Sequence, residues 1–519
     1  MIKKLNNFKK FFPIDLKYSK KNKAVLLTDR IQNDANLRTF LFGYNLNIKH
    51  NYNLYLVSDV SNRENIPIYN NLDIKNFSIS FKFKYFKYFF LLLASLFDVL
   101  AFYLKTLFVN NKIDWLINNF KCKKVKIGDL VYDSYVRYDF KFINPTIYEI
   151  KFFIILTQGI LRLNFIDYLV KKYSINAIVA SQMSFSSYGN LAQRYGTKYK
   201  LKTFNTSYNF IIKYNNHKET LTSPFKINKE ALKKITIQIP SKKIEKFYSL
   251  RKSGKLYGNY VSFNTLRKTN GISKDLKVLK FINKINKIKK KHQINLFALH
   301  CFSDSPHFCG DMIFRDFYDY FLQTLNFIRN NDKDNFWIIK PHPARAEYHE
   351  IGIVEKELNK HKSDLKNVVI CPEKINNYKL YELSDNLVNC VSTISLEFAC
   401  EGKRSIVAGD APYFHEDLFF KPKNKNEYFN LIKNLNKFKI HLNKQQVFLA
   451  KKILYFVEKQ SNFNLAKSKI LPDIVLNNYD EKSYLKNLEL NINMKKKNFS
   501  ILKDPLYKSI DLKLSNINF

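Results

Sequence analysis

Residues 335–414 constrain this chain more tightly than any other stretch. They begin NFWIIKPHPARAEYHE and end NVVICPEKINNYKLYELSDNLVNCVSTISLEFACEGKRSIVAGDAPYF. Four short apolar runs, Phe336–Ile339, Val368–Cys371, Leu387–Val391 and Ser405–Ala408, are spaced by helical patterns. That alternation predicts βαβ units and a parallel sheet. Polar groups sit just past the strand ends: His342-Pro343 after the first run, Ser392-Thr393 after the third, where a helix opens. Open α/β sheets bind ligands at the carboxyl ends of their strands, and a helix start suits phosphate. A phosphate-bearing ligand is therefore the first expectation.

The same grammar appears earlier in the chain. Lys23–Asp29 reads as a strand, Asn33–His50 as a helix and Leu54–Val60 as a second strand. Val125–Tyr138 reads as a strand and turn carrying Asp129, Asp133 and Arg137, and Ile175–Ala180 as a buried strand. The region 224–291 is charged and mostly helical, and Ile294–Cys301 restarts the strand pattern. The expected class is α/β, with two Rossmann-like domains facing a cleft. The expected division is an N-terminal domain with a connector over 1–285, a C-terminal nucleotide-binding domain over 286–460, and a tail over 461–519. That Asn/Lys-rich tail either wraps back on the first domain or is partly disordered.

A formal net charge of +43 ordinarily suggests nucleic acid. Lys outnumbers Arg about six to one, however, and Asn, Ile, Phe and Tyr are abundant while Gly numbers only 12. AT-rich codons favour that set, so codon bias accounts for much of the lysine excess. Arg, the better reader of bases and phosphates, is scarce. No nucleic-acid partner is expected, although the charge suits an anionic membrane surface. The six Cys lie mostly in apolar patterns, and MIKKLNNFKKFF lacks the apolar core and cleavage site of a leader. Reduced thiols and a cytoplasmic location follow.

Phe83–Val109 is the most hydrophobic segment. Crossing a bilayer takes about 20 apolar residues, and this run is broken by Asp98 and flanked by Lys87 and Lys105. It reads as non-spanning. A core helix is the plain reading, and a helix lying at the membrane interface is the sharper one.

The polar motifs each carry a structural alternative. Pro341 and Pro343 stiffen the backbone around His342 and aim an imidazole from a strand end, or they enclose a merely structural His. Ser392 and Thr393 are ordinary helix caps, or hydroxyls presented to an anion. Glu397, one turn on, is placed to accept from a ribose. The loop Phe302–Asp311 crowds Ser303, Asp304, Ser305 and His307 at another strand end. His300, Cys301, His307 and Cys309 lack the spacing of a zinc site. Asp332-Lys333-Asp334 matches a metal-binding D-x-D pattern, but a solvated turn is the better reading. No metal is expected. In the first half Asp29 and Ser181 sit at strand ends.

With those residues in place, the second half resembles the bacterial capsule and surface-polysaccharide glycosyltransferases of GT-B fold, in the branch of capsular Kdo transferases and sialyltransferases. KPHP at 340–343, ELSD…VSTISLE at 382–397 and GKRSIVAGDAPYF at 402–414 carry the resemblance, with FSDSPH at 302–307. It covers about 294–414 well and the first half loosely. The resemblance implies a nucleotide-sugar co-substrate, CMP-linked, with no other cofactor. It places His342, Ser392 and Thr393 on the nucleotide phosphate; Ser303, Ser305, His307 and Glu397 are donor-binding candidates from their own positions in the sequence. The acceptor implied is a growing or lipid-linked glycan, reached from the cytoplasmic side, with peripheral inner-membrane contact. The general base it requires is a carboxylate, Asp304 or Asp29. A CDP-glycerol-type glycerophosphotransferase shares the KPHP-like turn and the Ser-rich helix start. A non-catalytic glycan- or nucleic-acid-binding protein is the third reading.

Overall fold

The computed structural model describes residues 19, 22–28, 33–58, 74–77, 88–139, 141–181, 184–206, 211–221, 240–253, 275–308, 310, 312–410, 417–437 and 441–455, and in the tail 502, 504, 507–508 and 510–512. The chain forms two compact units. The first comprises Met1–Asp139, Pro145–Pro224 and Ser461–Phe519; the second comprises Phe140–Asn144 and Phe225–Gln460.

The first unit holds strands β1 (Lys23–Thr28), β2 (Tyr52–Val57), β3 (Lys75–Phe77), β4 (Lys121–Cys122), β5 (Val125–Lys126), β6 (Ile175–Ala180), β7 (Lys202–Asn205) and β8 (Ile212–Tyr214). Its main sheet runs β3-β2-β1-β6-β7-β8 and is parallel except for the β7–β8 pair. Strands this apolar on both faces demand helices on each side. The Asn33–His50 helix links β1 to β2, and Ile150–Lys172 leads into β6. Strand order reverses between β1 and β6, the usual place for a ligand crevice.

The strand and turn expected over 125–138 is a two-residue strand followed by a helix, Gly128–Asp139. Lys123 and Lys124 adopt left-handed backbone (φ 47° and 63°) to turn the β4–β5 hairpin. Gly128 then starts the helix against the Leu116 carbonyl, where a Cβ would lie 1.7 Å from that oxygen, so only glycine fits. The helix buries Asp129, whose two oxygens accept from both terminal nitrogens of Arg194 at 2.6 and 2.7 Å. In the tail, Tyr507 and Asp511 accept from the Asn45 amide at 3.1 and 2.8 Å, which ties residues 507–511 to the Asn33–His50 helix.

The second unit holds β9 (Ile294–Ala298), β10 (Phe336–Lys340), β11 (Val368–Ile370), β12 (Asn386–Asn389), β13 (Ser405–Val407) and β14 (Phe419–Phe420). All six are parallel, in the order β11-β10-β9-β12-β13-β14. Each of the four runs read from sequence forms a strand, with ends within about two residues. Phe297 and Trp337 face one side, and Phe297 packs on Tyr320 and Phe321 of the Phe317–Asn331 helix. On the other side Ser405 Oγ meets Ser395 Oγ of the Ile394–Cys400 helix at 2.9 Å.

The division between units differs from the expected boundary at 285. The helices Ser241–Lys252 and Leu276–Lys289 belong to the second unit. The first is tied there by Tyr248 to Glu401 and by Arg251 to Glu397; the second presents Lys289 to the carbonyls of Glu382 and Leu383. Both α/β units are thus Rossmann-like, as expected.

Candidate functional site

Strand order in the second unit reverses between β9 and β12. Of the polar residues singled out from sequence, His342, Asp304, Ser392 and Thr393 follow strands around that point, because β10 flanks β9 on one side and β12 flanks it on the other. His342 leaves the end of β10. Its Nδ1 accepts the Ala344 backbone N–H at 3.2 Å and lies 3.0 Å from Cys301 Sγ, just past β9. A nitrogen that accepts a backbone N–H holds no proton, so the ring hydrogen resides on Nε2. The two prolines fix this turn.

The ring is also held neutral. Burial, and then the neighbouring His300 and Lys340, push His342 well below the ordinary histidine range. Its ring stacks on His300 at 5.1 Å between centroids, and His300 stacks on Phe317 at 4.3 Å. Burial lowers His300 as well, while Asp304 and the Cys301 carbonyl pull the other way. His300 Nδ1 lies 3.9 Å from Asp304 Oδ2, and Asp304 Oδ1 accepts the Ser305 N–H at 3.0 Å. Asp304 is therefore half-exposed at the same strand end as the histidine pair.

The remaining loop residues divide by role. Ser303 is buried; its N–H and hydroxyl each donate to Glu350 Oε1 at 2.8 Å, and Phe302 N–H donates to Oε2 at 2.9 Å. Ser303 thus anchors its loop to the segment after the KPHP turn and is not presented to a ligand, contrary to expectation. Burial raises the Glu350 carboxyl, against the three hydrogen bonds that lower it. Ser305 is buried, with its Oγ unpartnered among the described residues. His307 is half-buried, and its carbonyl receives the Gly310 N–H at 3.4 Å.

Ser392 and Thr393 are half-buried where β12 gives way to the Ile394–Cys400 helix. Ser392 Oγ accepts the Ile394 N–H at 3.4 Å, and Thr393 makes no side-chain cap. The Thr393 hydroxyl is left to other partners.

Glu397 is placed otherwise than the sequence suggested. It is buried, and both oxygens are engaged: Oε1 with Arg251 Nη2 at 2.5 Å and Nε at 3.2 Å, Oε2 with the Tyr381 hydroxyl at 2.6 Å. The helix turns the carboxylate inward, so it braces two helices and is not free to receive a ribose. Asp332 departs from the solvated turn expected of it. It is buried, and Oδ2 accepts the Trp337 indole N–H at 2.9 Å. Asp29 and Cys309 lie outside the described residues. Ser181 is buried after β6 in the first unit. Among the described residues no cluster of three His, Cys, Asp or Glu side chains could hold a metal ion.

Two residues that sequence reasoning missed lie at the same place. Lys340 ends β10 in register with Ala298. Asn389 ends β12, one residue past the Val388–Phe297 pair, and so stands beside Ala298 on the same face. Lys340 is buried and titrates below the ordinary lysine range through burial. Asn389 is fully buried, with neither amide atom partnered among the described residues. Only the register across three strands discloses this row, although Lys340 had been visible as the first letter of KPHP.

Residues 193–440 match the family described as capsule polysaccharide biosynthesis protein. No curated protein matches the chain significantly. Among solved structures, Thermosulfurimonas dismutans KpsC, a beta Kdo 2,4 transferase, is similar at 13% identity and a TM-score of 0.29, over 53% of this chain and 79% of its own. A glycosyltransferase from Rickettsia africae matches at 12% identity and 0.24, over 92% and 100%. The Methanocaldococcus jannaschii UDP-GlcNAc 2-epimerase matches at 13% and 0.26, over 83% and 99%. At these scores the structural likenesses carry no functional argument.

Proposed function

We propose, from the match of residues 193–440 to the capsule polysaccharide biosynthesis family, that this chain is a glycosyltransferase of surface-polysaccharide assembly. Its second unit takes a CMP-activated acidic sugar, Kdo or a nonulosonic acid. The acceptor is a growing or lipid-linked glycan, met on the cytoplasmic side. The observation that carries the reading is the placement of His342: its Nδ1 accepts the Ala344 N–H, which leaves Nε2 as the donor, at the carboxyl end of a strand beside the topological switch point. A neutral N–H donor suits a phosphate oxygen without requiring acid conditions.

The chemistry needs three things of the residues present. His342 Nε2–H and the Ser392 and Thr393 hydroxyls donate to the nucleotide phosphate as charge builds on it. Asp304 takes the proton of the acceptor hydroxyl, whose oxygen attacks the anomeric carbon. The bond from that carbon to the phosphate oxygen breaks, and CMP departs with its electron pair. Hydrogen-bond donors neutralise the leaving group in this reading, so no metal is invoked.

Thermal-shift titration against CMP, CDP, UDP and GDP tests the donor class. Selective stabilisation by CMP supports the reading. Preference for CDP, with transfer from CDP-glycerol, would make the protein a glycerophosphotransferase, and no response to any nucleotide would favour a binding protein. His342→Ala should weaken CMP about 10- to 100-fold, the worth of one hydrogen bond to a charged group. Unchanged affinity and turnover in that variant would remove His342 from the site.

A further inference from the structure

The Phe89–Thr106 helix of the first unit presents two unlike faces. Ser95, Val99, Phe102 and Thr106 are buried against the unit. The opposite stripe, Phe90, Phe97, Leu100, Leu104, Leu107 and Phe108, is exposed, with Phe97 at 70% and Phe108 at 90%. A neighbouring strip continues it. Tyr103 stacks on Phe153 and donates its hydroxyl to the Ile147 carbonyl at 2.9 Å, which sets Tyr148, Ile150, Phe153 and Ile154 beside the helix, all four exposed. Ten large apolar side chains on one continuous face exceed the scattered few that a water-facing surface carries.

We infer that this face seats the protein on a bilayer containing anionic lipids, with the helix lying in the plane of the interface. Length and apolarity alone would also allow the helix to cross a membrane. Its anchoring argues for lying flat: at mid-length the Asn164 amide donates to Ser95 Oγ at 2.9 Å and Asp98 Oδ2 at 3.2 Å. A spanning helix would carry that carboxylate to the bilayer centre, where charge is costly. Lying flat, the polar pair stays on the protein side and the exposed stripe reaches about 5–10 Å into the acyl boundary.

The charges around the face select an anionic surface. Lys105 closes the helix, Lys112 follows it and Lys151 adjoins Ile150. The nearby acids are engaged inward or locally: Asp98 as above, Glu149 with the Tyr135 hydroxyl, and Asp114 with Asn111. Lysines beside the face are attracted to such a surface. A lipid-linked acceptor would be met on that plane, but the face itself does not rest on the donor assignment.

Co-sedimentation of the full chain with phosphatidylcholine vesicles, with and without phosphatidylglycerol, tests the inference. Binding should require phosphatidylglycerol and weaken with salt. Replacing Phe97, Leu100 and Leu104 together by Ser should lower the partition coefficient roughly tenfold or more. The control, Leu276→Ser with Leu279→Ser on an exposed face of the second unit, should leave it unchanged. Absence of vesicle binding, or equal binding by the triple variant, would overturn the inference. So would a lipid-free dimer that the triple variant converts to monomer, since the face would then join two copies. Nucleotide affinity should be the same in all variants, so failure here is separable from failure of the donor reading.

Discussion

Replacing Glu397 by Gln separates a bracing role from a ligand-contacting one. The carboxylate joins the Ile394–Cys400 helix to Arg251 on Ser241–Lys252 and to Tyr381 on Asn377–Leu383. Arg251 and Glu397 are 8% and 6% exposed, so water does not replace the lost partner. Gln keeps the shape but removes the charge that pairs with the buried guanidinium, and breaking a buried ion pair costs about 3–5 kcal/mol. For a unit of this size each kcal/mol moves the midpoint by about 2–4 °C, which gives a drop of roughly 6–20 °C. Thermal unfolding followed by circular dichroism measures it. Replacing both residues by apolar ones of similar volume, Arg251→Met with Glu397→Leu, should recover much of the loss, because the buried charge is gone. CMP affinity should stay within about threefold of wild type, under 0.7 kcal/mol. A Glu397→Gln protein that melts within about 2 °C of wild type yet binds nucleotide tenfold more weakly would refute the bracing role and restore the ribose contact.

Two further outcomes follow from the same geometry. His342 and His300 both titrate below the ordinary histidine value of about 6.5; as pH falls the unfolded chain takes up protons first, so stability should decline from about pH 7 downward until the folded pKa values are reached. A His342→Gln variant should show a shallower decline of melting temperature over that range, and an identical profile would contradict the shift. Gly128→Ala should lower the denaturant midpoint by the equivalent of roughly 2 kcal/mol or more, because the added Cβ falls on the Leu116 carbonyl; an unchanged midpoint would mean that the helix start can move.

Much of the second unit was legible without coordinates. Apolar runs of four or five residues separated by helical periods specify parallel strands, since a strand buried on both faces cannot alternate with polar residues. The KPHP turn was legible for a related reason: two prolines leave the intervening His few conformations. Those local signals located His342, Ser392, Thr393 and Asp304 at strand ends. The helix over 128–139 was not legible, because its short apolar spacing suits either period and the choice lay with Gly128 against Leu116. Neither was the inward turn of Glu397, whose partner Arg251 lies 146 residues earlier in the chain.

The sequence by itself determined which segments become strands and which polar residues follow them, because period and proline act over a few residues. Only the tertiary structure decided what those residues face. Pairing of β10, β9 and β12 brought Lys340, Ala298 and Asn389 into one row and put Cys301 against His342. Packing of distant helices assigned Glu397 to Arg251 and Ser303 to Glu350. The exposed stripe on Phe89–Thr106 was settled likewise: composition made it apolar, and only the docking of its other face onto Ile150–Lys172 left that stripe uncovered. Burial is a property of contacts between segments far apart in the chain, and no local pattern encodes it.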